Sequence, residues 1–256
     1  MDKSQHPEQE ETAMRNSDRF LEAFNRIEKY LRKRTRSERW EGFYQLIRKA
    51  SQFIPAVREY GDDLKEFADL RNAIVHERTD GRVIAEPHEW VVNKIEKLAD
   101  LILRPPKVIP HFQRRVLSLS DREPIASAIK AMYEHDYSQI PIVGNGTFAG
   151  LLTSNTIVRW LGARSNRGTV GPNQMETPIA DVLRYSEYAD NYRFVSRDTT
   201  LFEVLEYFQD YEQKGKRLDA LLITHHGKST ESFLGIITVW DFPRVYQSLK
   251  IDPDMR

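Results

Sequence analysis

The sequence contains no cysteine, carries no net charge and has no long hydrophobic run. Without cysteine there is no disulfide framework and no thiolate metal site, which suits a reducing cytosol. A formal net charge of +0 gives no global pull towards nucleic acid or membrane, so any such binding must come from a local patch. No apolar stretch reaches membrane-spanning length, and the opening residues MDKSQHPEQEETAMRN lack the apolar region of a secretory signal. Also missing are a phosphate-binding Gly-Lys loop, a cluster of metal ligands and a Ser-His-Asp arrangement. His225-His226 has no third ligand in view, so no metal is expected. These absences describe a soluble, cytoplasmic protein that requires no cofactor for chemistry.

What is present is enough apolar material for two domains: 256 residues, 40% hydrophobic and 11% aromatic. Residues 1–15 read as a polar, disordered tail. A helical unit is expected over 16–104. Its first helix opens at Asn16 or Ser17 and carries Phe20, Leu21, Phe24, Ile27 and Leu31 at helical spacing. A second holds Trp40, Phe43, Ile47 and Ala50. A third runs from about Pro55 to His76 with Val57, Tyr60, Leu64, Phe67, Leu70 and Ile74 as its stripe. A fourth starts at Pro87 and carries Val91, Ile95, Leu98 and Ile102. Arg104-Pro105-Pro106 ends it and marks a domain boundary.

On the third helix, Arg71 sits at the edge of the apolar stripe, while Asn72 and His76 share a face nearly opposite to it. Such residues face solvent or a partner. A basic run, Lys29, Arg32, Lys33, Arg34 and Arg36 with Arg39, lies at the end of the first helix. It reads either as a solvated helix terminus or as a track for a nucleic-acid backbone.

After Lys107 the pattern changes to short strands alternating with helices, and it occurs twice. The hairpin Ile140–Val143 and Phe148–Thr153 turns on Gly144-Asn145-Gly146, where Asn145-Gly146 tolerates positive φ. A second hairpin, LDALLITHHGKSTESFLGIITVWD, pairs Phe233 with Phe148, Gly235 with Gly150 and Thr238 with Thr153. The repeats are placed at 107–163 and 179–250, with a Gly-, Pro- and Asn-rich connector at 164–178. The fold class expected is α+β, a helical bundle followed by a two-repeat β-α-β-β-α module.

Two resemblances rest on these residues. Tyr137-Ser138-Gln139-Ile140-Pro141-Ile142-Val143 with Gly150–Thr153, and Gly235–Asp241, resemble a tandem pair of CBS domains, or Bateman module, over about 107–250. That resemblance implies a cleft for an adenosine-containing regulatory ligand (AMP, ADP, ATP or cyclic di-AMP), with Thr238 and Asp241 on its phosphate and ribose. Thr153 stands at the equivalent place in the first copy, where Thr156 replaces the acid. Arg244 and Arg159, one turn further along their helices, are candidate phosphate partners, and Ser138 and Ala220, at the hairpin starts, join the set. Thr238 and Asp241 also suit a plain helix cap.

The four helices with Arg71-Asn72-x-x-x-His76 resemble a HEPN domain over roughly 16–104. This implies a homodimer and, in many members, metal-independent RNA cleavage. Arg71 would then stabilise phosphoryl charge, Asn72 orient, and His76 move the proton from a ribose 2′-OH. The basic run would carry the RNA. The alternative is a non-catalytic nucleotide sensor whose helical unit only dimerises or docks a partner protein.

Overall fold

The computed structural model describes residues 14–76, 78–79, 82–83, 86–165 and 174–250, with the side chains of residues 76–85 excluded. Most of the expected tail, part of the connector and the His76 side chain lie outside the described residues. The chain divides into two compact units, one of residues 1–105 with 250–256, the other of 106–249.

In the first unit, α1 (Asn16–Thr35) lays Phe20, Phe24, Ile27 and Leu31 into the core along one face and ends where Arg36 adopts a left-handed φ of 50°. It packs along α5 (Glu89–Leu103), whose Val92, Ile95, Leu98 and Ile102 are buried. Arg19 clasps the two helices, donating to Glu89 at 2.7 Å and Glu96 at 2.8 Å, and these carboxylates raise its pKa further. The start of α1 departs from expectation. Neither Asn16 nor Ser17 caps it; the Ser17 N–H is taken by Glu86 Oε1 at 3.0 Å, and Asn16 Nδ2 donates to the Pro87 carbonyl. A carboxylate from a distant segment does the work of a local cap.

α2 (Phe43–Ala50) begins after Trp40, which stands 80% exposed rather than in a helix. The long third helix is broken in two, α3 (Pro55–Glu59) and α4 (Gly61–His76), because Tyr60 leaves helical geometry at φ −107°, ψ 25°. Gly61 is a poor interior helix residue, and Asp62 and Asp63 favour a new helix N-terminus, so the break has a local cause. Leu64, Phe67 and Ile74 of α4 are buried as the stripe requires. A two-residue ladder, β1 (Arg78–Thr79) with β2 (Arg82–Val83), separates α4 from α5.

The second unit holds two three-stranded sheets. After α6 (Val108–His111), β3 (Leu119–Ser120) pairs parallel with β4 (Gln139–Gly144), and β4 pairs antiparallel with β5 (Thr147–Thr153). α7 (Ile125–His135) crosses between β3 and β4, and α8 (Ser154–Ser165) follows β5. The tight turn has Asn145 at φ 49° and Gly146 at φ 78°, the paired positive values that a two-residue hairpin demands. The second copy repeats the order with α9 (Ile179–Leu183), β6 (Tyr192–Ser196), α10 (Leu201–Gln213), β7 (Ala220–Thr224), β8 (Gly235–Ile237), a 3-10 turn Val239–Asp241, and α11 (Phe242–Leu249).

The repeats exchange their leading segments. Pro106 and Val108 bond to the second copy (Leu201 N to Pro106 O, Val108 N to Thr199 O, both 2.8 Å), while Ile125 N donates to Thr177 O at 2.8 Å and Ile179 N to Glu123 O at 2.9 Å. Ile179 and Val182 are thereby buried in the first copy's core beside Ile125, Leu152 and Trp160. The equivalent residues Phe148 and Phe233 meet at 6.2 Å between ring centroids, joined by Phe194 and Tyr192.

Candidate functional site

The hairpin strands end at turns that aim polar groups outward. In the second copy Thr238 is the N-cap of the 3-10 turn: Trp240 N donates to its Oγ1 at 3.3 Å, and Asp241 Oδ2 accepts from Thr238 N at 2.8 Å and Thr238 Oγ1 at 3.3 Å. This is a complete capping box. It uses only one carboxylate oxygen. Asp241 Oδ1 has no hydrogen-bond partner among the described residues, and the side chain keeps 16% of its surface exposed.

Thr238 and Asp241 form one wall of a cavity of about 480 Å³. Ser138, Gln139 and Pro141 at the start of β4 form another, and the segment Arg114–Leu117, which leads into β3, closes a third. That segment runs along β8: Arg114 N donates to Leu234 O at 3.0 Å, and its guanidinium bonds the Ile236 carbonyl and reaches Asp241 at 3.4 Å. Gly235 allows this approach, since a Cβ there would collide with the Phe112 carbonyl oxygen. Arg115, next in the chain, has no ion pair or hydrogen bond among the described residues and also lines the cavity. Trp240 stands at its rim, 81% exposed.

The equivalent cleft of the first copy is closed. Its space is only about 10 Å³. Thr153 Oγ1 caps α8, accepting from Thr156 N at 3.1 Å, and the two hydroxyls lie 3.0 Å apart. The remaining volume holds the protein's own groups. Asp219 accepts from Arg217 Nε at 2.6 Å and Asn191 Nδ2 at 2.7 Å, and Asn155 donates to Glu187 at 2.8 Å.

The sequence candidates are therefore divided. Thr238, Asp241 and Ser138 share the open cavity; Thr153 faces the closed one. Arg244 lies over the Phe112 ring at 5.1 Å and Arg159 bonds the Tyr185 carbonyl at 3.3 Å, so neither lines the cavity. Ala220 is fully buried in β7. The guanidinium groups at the cavity come instead from Arg114 and Arg115, which no local spacing singles out, because the exchanged segment brings them there.

In the helical unit, Asn72 is exposed and Arg71 half-buried, with Arg71 Nη1 donating to Asn72 Oδ1 at 3.2 Å. His76 is the last residue of α4, its side chain outside the described residues. Of the basic run, Arg32 is committed to structure, bonding Glu28 at 2.6 Å and the carbonyls of Glu38 and Glu41. Lys29 borders an open hollow of about 410 Å³ on the flank of α1 alone. Lys33, Arg34 and Arg36 are exposed. Among the described residues no helix is long and apolar enough to cross a membrane, and no group of three or more His, Asp or Glu is placed to hold a metal ion.

Residues 109–163 and 186–247 match the family model of the CBS domain. The chain is also similar to solved structures: AcuB from Vibrio cholerae (22% identity, 56% of this chain and 91% of that one, TM-score 0.43); a CBS domain pair in complex with 5-methylthioadenosine and S-adenosyl-L-methionine (17%, 57% and 99%, TM-score 0.42); and CbpB in complex with c-di-AMP (14%, 61% and 93%, TM-score 0.43). No curated protein matches the sequence. With two β-α-β-β-α copies in tandem and the family model matching each of them, the second unit of this chain is a pair of CBS domains.

Proposed function

We propose that the CBS pair senses an adenine nucleotide in the open cleft and that the helical unit is the output it controls. One observation carries the reading: a cavity of about 480 Å³ lined by both Asp241, whose Oδ1 is left over from the cap, and Arg115, whose guanidinium is unpaired among the described residues. The volume lies in the range of small-molecule sites. A carboxylate suits ribose hydroxyls, a guanidinium suits phosphate, and the Trp240 face suits a base. A melting-temperature screen with AMP, ADP, ATP, cyclic di-AMP, NAD and S-adenosylmethionine tests it. A rise with at least one adenine nucleotide is expected, and a flat response to all of them sinks the sensor.

The output we propose is metal-independent RNA cleavage by a HEPN-like dimer, with His76 moving the proton and Arg71 facing phosphate. Support comes from α4, where Arg71 and Asn72 stand outside the buried stripe and bond only each other among the described residues. Ligand control then requires that the nucleotide bind one arrangement of the dimer better than another.

A further inference from the structure

We propose that the C-terminal end of α1, with the loop behind it, is a docking surface for single-stranded nucleic acid, on which Trp40 is a stacking platform for a base. The local chemistry separates structural cations from free ones. Arg32 folds the loop back on the helix through the Glu38 carbonyl at 2.6 Å and the Glu41 carbonyl at 3.2 Å, and it satisfies Glu28. Lys49 binds Glu41 and Ser37, and it holds the Glu41 carboxyl below its ordinary range. The two acids nearest the end of the helix are thereby spent. Lys33, Arg34, Arg36 and Arg39 remain exposed with no ion pair among the described residues, against one uncommitted carboxylate in the loop, that of Glu38.

Two aromatic rings sit among these cations. Trp40 is 80% exposed, and Phe53, itself 47% exposed, lies under the Arg34 guanidinium at 6.0 Å. A complement to helix-end charge needs only cations. Leaving an indole face in water beside them adds what an unpaired base uses, since stacking on an aromatic ring tolerates any base and the cations follow the phosphates. A duplex keeps its bases stacked internally and gains little from Trp40. An acidic peptide would use the cations but not the ring. The surface needs neither Arg71 nor His76 and stands independently of RNA cleavage by the helical unit.

The test uses the full chain and a labelled single-stranded RNA of mixed sequence, read by fluorescence anisotropy, with the same RNA annealed to its complement, the DNA equivalent and a polyglutamate peptide as competitors. Single strands are expected to bind in preference to duplex, RNA and DNA alike. Trp40→Ala should weaken binding about ten-fold or more with an unchanged melting temperature, and Trp40→Phe should restore most of the loss. Replacing both Arg36 and Arg39 by Ala should reduce the slope of log affinity against log salt by roughly 1.4, about 0.7 for each phosphate no longer neutralised. The proposal is overturned if the parent binds no single strand, if Trp40→Ala binds like the parent, or if duplex or polyglutamate competes as well as single strand.

Discussion

Asp241 Oδ2 accepts the backbone N–H of Thr238 at 2.8 Å, and Asp241 also lines the open cleft with its second oxygen unbonded among the described residues. Capping and ligand binding are therefore separable at this residue. Asp241→Asn keeps a neutral acceptor for Thr238 but lacks the charge. It should melt close to the parent while binding adenine nucleotide about ten-fold less well, the scale of losing a charge-assisted bond. Asp241→Ala loses both and should cost about 1 kcal/mol of stability besides. Calorimetric titration of AMP or ATP together with thermal melts decides this; equal affinity in Asp241→Asn and the parent would show a cap only.

The residues that fold locally were legible. Asn145-Gly146 dictates its turn, and the strands Gln139–Gly144 and Thr147–Thr153 extend the expected hairpin by a residue or so at three of its four ends. The matched Phe148 and Phe233 turned out to touch. What pattern could not supply was set by distant chain. Glu86 replaces a local cap at Ser17, the α9 segment packs into the other copy, and Arg114 and Arg115 reach the cleft along β8. Arg244 and Arg159 had the right helical spacing, yet their partners, Phe112 and Tyr185, belong to segments whose positions only the tertiary fold determines. The break at Tyr60 is the exception, because Gly61-Asp62-Asp63 carries a start signal that the long apolar stripe masked.

One ligand per chain is expected, not two. The first copy's cleft has its volume filled by Arg217, Asp219 and Asn191 in mutual hydrogen bonds, with Asp219 N also donating to the Asn191 carbonyl at 2.6 Å. A second ligand would have to leave those groups without partners, a cost of about 1–3 kcal/mol for each. Native mass spectrometry with a saturating adenine nucleotide counts the occupancy directly. Two bound molecules per chain would refute the closed cleft, and none would refute the sensor itself.

Gly235→Ala should damage both stability and binding. The added methyl meets a backbone carbonyl, that of Phe112, which cannot rotate aside, so the segment carrying Arg114 and Arg115 has to move. Overpacking of this kind costs about 1–3 kcal/mol. Gly146→Ala is the contrast: its φ of 78° strains an alanine, but nothing lies near its methyl and the cleft is elsewhere, so stability should fall by about 1 kcal/mol with affinity unchanged. Denaturant midpoints and nucleotide titrations on the two variants separate the effects, and normal binding by Gly235→Ala would remove the exchanged segment from the site.

If the helical unit cleaves RNA, His76→Ala should abolish cleavage while the α-helical signal and melting temperature of the protein stay put, since the sequence spacing sets His76 nearly opposite the apolar stripe. Incubation with a 5′-labelled single-stranded RNA in the presence of a chelator, followed by end-group analysis of the labelled fragment, reads the result. Cleavage by attack of the 2′-OH leaves a cyclic phosphate. Equal rates in variant and parent would remove His76 from the chemistry and favour a sensor whose helical unit acts by docking.

Glu231 sets the acid behaviour of the second hairpin loop. Its carboxylate accepts from His226 N and pairs with His226 Nδ1, both at 2.7 Å, and these bonds, the backbone N–H foremost, hold its pKa at about 2 against an ordinary 4.5. A carboxyl depressed in the folded state stabilises that state fully above its unfolded value and loses the contribution as pH falls towards the folded value. The loop should therefore be firm above about pH 4.5 and loosen progressively towards about pH 2. Gly227, at φ 78° against the backbone of Val195 and Ser196, shows the loop seated on β6, so loosening should reach the exchange protection of the His226 amide first. Glu231→Gln should show at neutral pH the weakened protection that the parent shows only in acid. Hydrogen-exchange mass spectrometry over residues 225–232, corrected for the intrinsic pH dependence of exchange, measures it, and protection in the parent that stays flat across that window would deny Glu231 this role.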